Sequence, residues 1–546
     1  MRIALLTEGT LTNAQRGEGG WCGRLVDGLP EHEFRLYRLL PADRPAPPTG
    51  VRGLHGVHEL PMWGRRPGGR GPTALRRRAY AKAYGELVRA LVMPGERAGF
   101  GPALYRLAAL GREDDALPAF LGSGHAHRVL ERAWRMPGAD TAGGQPLVCD
   151  VLVAADLLEQ CLRPLSAPWY GTGPAGLGGA DLCHVVGGGP AALPALVARE
   201  LHGVPFVVTE HGLHLREQYR GYRSAPYRWP VRALLLSFFR QLTEETYRKA
   251  GVLTPGSEYD RQWQQRCGGD ADRTRIVHEG TPATGRPAAG KEPVAPTLVW
   301  AGALEPGRDP ELMLHAFARV RAELPGARLR MYGEEGAPGY RAHCAAIAER
   351  LGVADGVEFA GRPESSAAAW ESGSAVVFSA LAQRSPRLLA DAMLSGRAVI
   401  STEVGVAREV LGPTGLLVPP RSPRALAAAC LALLTDHERR SRLGLAGRLR
   451  AQERFAVEPV VGAFREIYLE LVSRYPAFPA RPGARATPFA RPAEYWVAGP
   501  GGGSVGGAVG GTAGGAVGEP AAEAAGQGAA DRPVRAAAGP ALAEAL

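Results

Sequence analysis

The sequence lacks most of the devices that stabilise or anchor small secreted proteins. Its seven cysteines, at 22, 149, 161, 183, 267, 344 and 430, form no CxxC pair and are odd in number. That speaks against a disulfide framework or a zinc site and for a reducing compartment. No run reaches the ~18 consecutive apolar residues that a membrane span needs. The opening MRIALLTEGT reads as a buried strand, because its short apolar run ends at Glu8 and not at a cleavage site. No dense Lys/Arg run with interleaved aromatics occurs, although the formal net charge is +10. A nucleic-acid partner is therefore not expected, and the basic excess reads mainly as a solvated surface. The expected location is the cytoplasm, with attachment to the inner face of a membrane through a polysaccharide-synthesis complex left open.

What is present is length and apolar content. At 546 residues, 45% of them hydrophobic, the chain is too long for one typical domain. RIALLTEGT, GGWCGRLVDGL and HEFRLYRLL give a strand–helix–strand opening. Residues 41–146 read as a helical insertion. The α/β rhythm resumes at DLCHVVGGG and VPFVVTEHG, continues through a long helix, and adds two short strands, GVLTPGS and TRIVHEG. A Pro/Gly linker follows, and a second β/α series starts at TLVWAGAL. The expected architecture is α/β, with two doubly wound domains facing across a cleft. Residues 1–285 form the first domain, 286–296 a linker, 297–455 the second domain and 456–475 a terminal helix. Residues 476–546 are rich in Pro, Gly and Ala and are expected to be a disordered tail.

The blocks ADLCHVVGGGPAALPALVARELHGVPFVVTEHGLHLRE, WAGALEPGRDPELMLHAFARVRAELPGARLRMYGE and STEVGVAREVLGPTGLLVPPRSP occur in one order. They resemble the retaining glycosyltransferases of family four, in the branch that carries the Pel exopolysaccharide glycosyltransferase. The resemblance covers roughly 1–40 and 147–472. It implies the GT-B fold, two Rossmann-like domains with a nucleotide sugar between them. It also implies metal-independent transfer of a hexose from a UDP-sugar to a glycan or small-molecule acceptor, with no cofactor beyond the sugar donor.

Such transfer must neutralise a leaving diphosphate, a task for cations, backbone N–H groups and helix N-termini. By resemblance, the donor side takes in Gly17, Gly302, Arg308, Gly361, Asp391 and Gly405. Catalytic roles fall to His211, Arg308, Gln383 and Asp391. His184, Arg216 and Glu217 stand on the acceptor side, while Glu409 reads as structural. Four donor-side positions depart from the family pattern. Arg16 replaces a glycine, Ala303 an arginine, Arg308 a lysine and Gln383 a glutamate. Asp391 also shortens a second glutamate by one methylene. A charged hydrogen bond contributes about 1.5–3 kcal/mol, so such losses bear directly on rate. Two expectations follow. The chain is either a transferase with altered donor contacts, or an impaired relative that binds a sugar, a nucleotide or a protein partner.

Overall fold

The computed structural model describes residues 1–8, 20–40, 51–64, 71–140, 143–283, 288–383 and 385–476. Arg16, Gly17 and the tail expected over 476–546 lie outside them, save for Pro476. Twelve strands build two parallel sheets. The first contains β1 (Arg2–Glu8), β2 (Glu33–Leu40), β3 (Leu54–Pro61), β4 (Leu182–Val186), β5 (Phe206–Glu210) and β6 (Val252–Pro255). The second contains β7 (Thr297–Ala301), β8 (Arg328–Tyr332), β9 (Val357–Gly361), β10 (Ala375–Phe378), β11 (Ala398–Thr402) and β12 (Leu416–Val418). The first sheet runs β3-β2-β1-β4-β5-β6, and the second runs β12-β11-β10-β7-β8-β9. Read from its other edge, the second sheet has the same order as the first. Each therefore reverses direction once, between β1 and β4 and between β7 and β10. Ligands of open parallel sheets lodge at such reversals, beyond the carboxyl ends of the strands.

The strands are short apolar runs because helices cover both faces of a parallel sheet. Ile3 to Leu6, Phe206 to Val208 and Ala375 to Phe378 are all buried. Two expectations change. Residues 41–146 are not purely helical, since β3 lies among them and pairs in parallel with β2. Its first half alternates exposed and half-buried residues, which hides it from a search for apolar runs. The helices Ala74–Val92, Phe100–Asp114 and Gly124–Trp134 in this stretch belong to the main core of the first sheet. TRIVHEG, expected as a strand, makes only an isolated bridge from Thr274 to Leu253.

The last described helix, Val457–Arg474, packs on the first sheet and not on the second. Val460, Val461, Phe464, Ile467 and Leu471 join Ile3, Leu5, Leu36, Leu182 and Val207 in one core. The apolar residues recur at helical spacing, so one stripe of the helix closes that face of the sheet.

Candidate functional site

At the reversal of the second sheet, the loops after β7 and β10 are tied together. The Ser379 hydroxyl accepts from Trp300 Nε1 at 2.8 Å and donates to the Asp309 carbonyl at 2.7 Å. Leu381 N–H donates to the Gly307 carbonyl at 3.1 Å. Asp309, with φ +48°, turns its carboxylate to the Leu312 N–H and starts the Pro310–Glu323 helix. Arg308 is thereby held at the mouth of the reversal. Its Nη1 donates to Gln383 Oε1 at 3.2 Å. The Gln383 side chain is 4% exposed, and its amide N–H donates to the Ser385 carbonyl at 3.0 Å. Two of the positions singled out in the sequence thus meet each other, as a guanidinium bonded to a neutral amide.

Glycine makes this packing possible. Gly405 has φ +54°, and a Cβ there would stand 1.9 Å from the Gln383 carbonyl oxygen. That oxygen instead accepts the Val406 N–H at 2.9 Å. Gly333 has φ +152° and lets the loop after β8 touch the Gly302 carbonyl. Gly302, Arg308, Gln383 and Gly405 are therefore brought together. Gly361 closes β9, two strands from the reversal, and reaches Gly302 only through Gly333, whose N–H it accepts at 2.8 Å. Asp391 sits on the Arg387–Leu394 helix, and one of its oxygens accepts from the buried Trp370 indole at 2.8 Å. Ala303 offers no polar atom from its side chain to this loop.

On the first sheet, His211 stands one residue beyond β5. Trp21 packs edge-on against it, with ring centroids 5.0 Å apart. Its Nε2 is buried and has no hydrogen-bond partner among the described residues. Burial pushes the imidazole down to about 4, opposed by nearby Glu279, so the ring is neutral at pH 7. The strand end that presents it is anchored by Glu210. This buried carboxyl accepts from Gln264 at 2.7 Å and from the Tyr247 hydroxyl, and burial raises its pKa.

His184, expected on the acceptor side, lies inside β4 and is fully buried. Its Nδ1 meets the Tyr468 hydroxyl at 2.6 Å and its Nε2 meets the Thr209 hydroxyl at 2.7 Å. With both nitrogens engaged in the core, it fastens the terminal helix to the sheet and offers nothing to an acceptor. Arg216 also turns inward to the protein. Its guanidinium lies over the Tyr259 and Trp263 rings, 5.4 and 5.6 Å from their centroids, and donates to the Tyr259 hydroxyl at 2.7 Å. Glu217 follows it on an exposed face of the same helix, His214–Ser224.

Of the groups that join the two halves, sequence reading named only Glu409, as structural. Glu279 accepts from the Ser385 hydroxyl at 2.9 Å, and Arg387 approaches it to 3.8 Å. Beside this contact, within the first half, Arg24 donates to the Gly280 carbonyl at 3.3 Å. Glu409 accepts the Glu258 N–H at 2.8 Å at the start of the Glu258–Arg266 helix, where the helix dipole favours a carboxylate. The one available signal was the polar His278–Glu279 pair in TRIVHEG, which a strand reading absorbed.

Comparison with known proteins agrees with this architecture. Residues 1–272 match a domain family of unknown function, DUF3492, and residues 295–436 match the group 1 glycosyl transferases. A D-inositol 3-phosphate glycosyltransferase of Streptomyces bingchenggensis is 32% identical over 232 residues, 38% of this chain and 50% of that protein. An exopolysaccharide phosphotransferase of Streptomyces coelicolor is 27% identical over 223 residues, 40% of this chain and 23% of that protein. The matched region thus spans half or less of these relatives. Among solved structures, sucrose-phosphate synthase from Thermosynechococcus elongatus superposes with a TM-score of 0.52 at 16% identity, covering 87% of this chain and all of that one. Anabaena HepE in complex with UDP gives 0.51 at 14%, covering 86% of this chain and all of that one. The chain thus carries a group 1 glycosyltransferase domain on a GT-B scaffold, behind an amino-terminal domain of unassigned function.

Proposed function

We propose that the protein is a retaining glycosyltransferase that moves a hexose from a UDP-sugar to a hydroxyl of a glycan or other acceptor, without a metal or further cofactor. The observation that carries this reading is the Arg308–Gln383 pair at the reversal of the second sheet, within a domain matched by the group 1 glycosyl transferases. Arg308 supplies a permanent positive charge where a leaving diphosphate needs one, and its planar fork suits phosphate oxygens. Gln383 holds that fork while still presenting a neutral amide. Asp391, steadied by Trp370, is the candidate for the ribose hydroxyls. His211, neutral and with an Nε2 that has no partner among the described residues, is the candidate contact for the transferred sugar or the acceptor hydroxyl. Anabaena HepE, with the same fold, was solved with UDP and with UDP-glucose, which supports a uridine nucleotide as the first ligand to try. The name of the Streptomyces coelicolor relative supports an exopolysaccharide context.

A second reading is favoured by one specific observation. Both ends of the Gln383 amide are already engaged, by Arg308 and by Ser385, and the charge of the family glutamate is gone. On that reading the chain binds a nucleotide sugar without turnover and acts on a partner. Calorimetric titration with UDP and then UDP-glucose, followed by a product assay, separates the two. Binding with product formation supports the transferase. Binding without product from any UDP-sugar supports the second reading. Absence of binding would sink both.

A further inference from the structure

Fourteen large apolar side chains stand exposed among the described residues, and five of them lie at the starts of two helices that contact each other. These are Leu147, Val148, Leu152, Val153 and Trp229, with Val148 at 64% exposure and Trp229 at 52%. Val148 and Leu152 lie one turn apart on the same face of the Val148–Leu162 helix, and Leu147 precedes it. Trp229 opens the neighbouring helix, Trp229–Lys249, which packs along the first. Asp150 joins the two starts, accepting the Leu147 N–H at 2.8 Å and pairing with Arg228. Asp156, exposed one turn beyond Leu152, marks the end of the apolar face.

The loop that carries Trp229 is stiff and basic. Arg232 donates to the carbonyls of Arg223, Ala225 and Tyr227, stapling the turn into Trp229. From His214 to Arg232 inclusive the chain has five arginines and one acidic residue, Glu217, and three of the five, Arg216, Arg228 and Arg232, are engaged within the protein. Arg220 and Arg223 are exposed there.

We propose that this face docks on a bilayer surface bearing anionic lipid headgroups. An indole that is half in and half out of water suits the headgroup level, and short aliphatic side chains suit the acyl boundary. Arginines of one sign beside them suit lipid phosphates, and their stems can lie along the apolar surface. The inference stands on surface chemistry and does not rest on transfer activity. No helix among the described residues is long and apolar enough to cross a membrane, so the contact is peripheral.

The test is flotation of the full chain with phosphatidylglycerol-containing vesicles, against pure phosphatidylcholine vesicles. Binding to the anionic vesicles is expected, weakening as salt rises. Arg220→Gln with Arg223→Gln should weaken it about thirtyfold, and Trp229→Ser about tenfold, with UDP affinity and melting temperature unchanged. Equal binding to both vesicle types, no flotation, or flotation indifferent to these changes would overturn the proposal. So would a dimer in light scattering that Trp229→Ser dissolves while the wild type ignores vesicles, which would assign the face to a second copy of the chain.

Discussion

The two sheets share one strand order, yet their reversals are built from opposite materials. At β1 and β4 the space behind the strands is filled by a closed polar chain. Tyr468, His184, Thr209 and Thr254 are linked through contacts of 2.6–2.7 Å, within aromatic packing. At β7 and β10 the strand ends carry a guanidinium bonded to an amide, with a side-chain exposure of 33% for Arg308. The same topology thus serves structure in one half and, on the proposed reading, ligand binding in the other. Position relative to the strand end decides which. His184, two residues short of the end of β4, is consumed by the core, while His211, one residue past β5, keeps a nitrogen unpartnered among the described residues.

The largest effect should come from breaking the first of these networks. His184→Ala leaves two buried hydroxyls short of a partner and opens a cavity, and should lower stability by about 3 kcal/mol in urea unfolding. Nucleotide affinity at temperatures where the variant is folded should not change. Arg308→Ala inverts that outcome. UDP should bind about ten- to hundredfold more weakly in calorimetry while the unfolding midpoint holds. An unfolding midpoint that moved with Arg308 would remove the distinction between the two reversals.

Gln383→Glu would sharpen the contrast by placing a negative charge beside Arg308. Turnover of a UDP-sugar, read by nucleotide release, should rise by about tenfold. Stability should fall by about 1 kcal/mol, because a carboxylate cannot donate to the Ser385 carbonyl. The smallest effect concerns pH. Burial pushes His184 to about 3 and His211 and His214 to about 4. The unfolded chain then binds protons before the folded one does. The stabilisation is complete above the unfolded value near 6.5 and is lost as pH falls through the folded values. Urea midpoints measured from pH 7.5 down to 5 should decline, and more gently in His184→Ala; a flat wild-type profile would contradict the buried neutral state.

Much of the fold was legible because parallel strands covered on both faces must be apolar throughout. RIALL, VPFVV, TLVWA and AVVF announce themselves for that reason. β3 escaped because an edge strand whose alternate residues His55, Val57 and Glu59 are exposed lacks that pressure. Gly302, Arg308, Gln383 and Gly405, expected on the donor side from motif order, are positions that the fold brings together. The pairing of Arg308 with Gln383 was not legible, since the two are 75 residues apart. The fate of His184 was hidden further still, because it depends on a tyrosine 284 residues downstream.

That separation has a consequence for how the protein is made. The strand that holds His184 leaves the ribosome long before the helix that holds Tyr468. At about 5–20 residues per second, some fifteen seconds to a minute pass between them. Throughout that interval one apolar face of the first sheet, including Ile3, Leu5, Leu36 and Val207, is covered only in part, by Cys22, Leu25 and Val26 of the Trp21–Gly28 helix. The first domain is therefore completed only when the Val457–Arg474 helix, the last one described, has been translated.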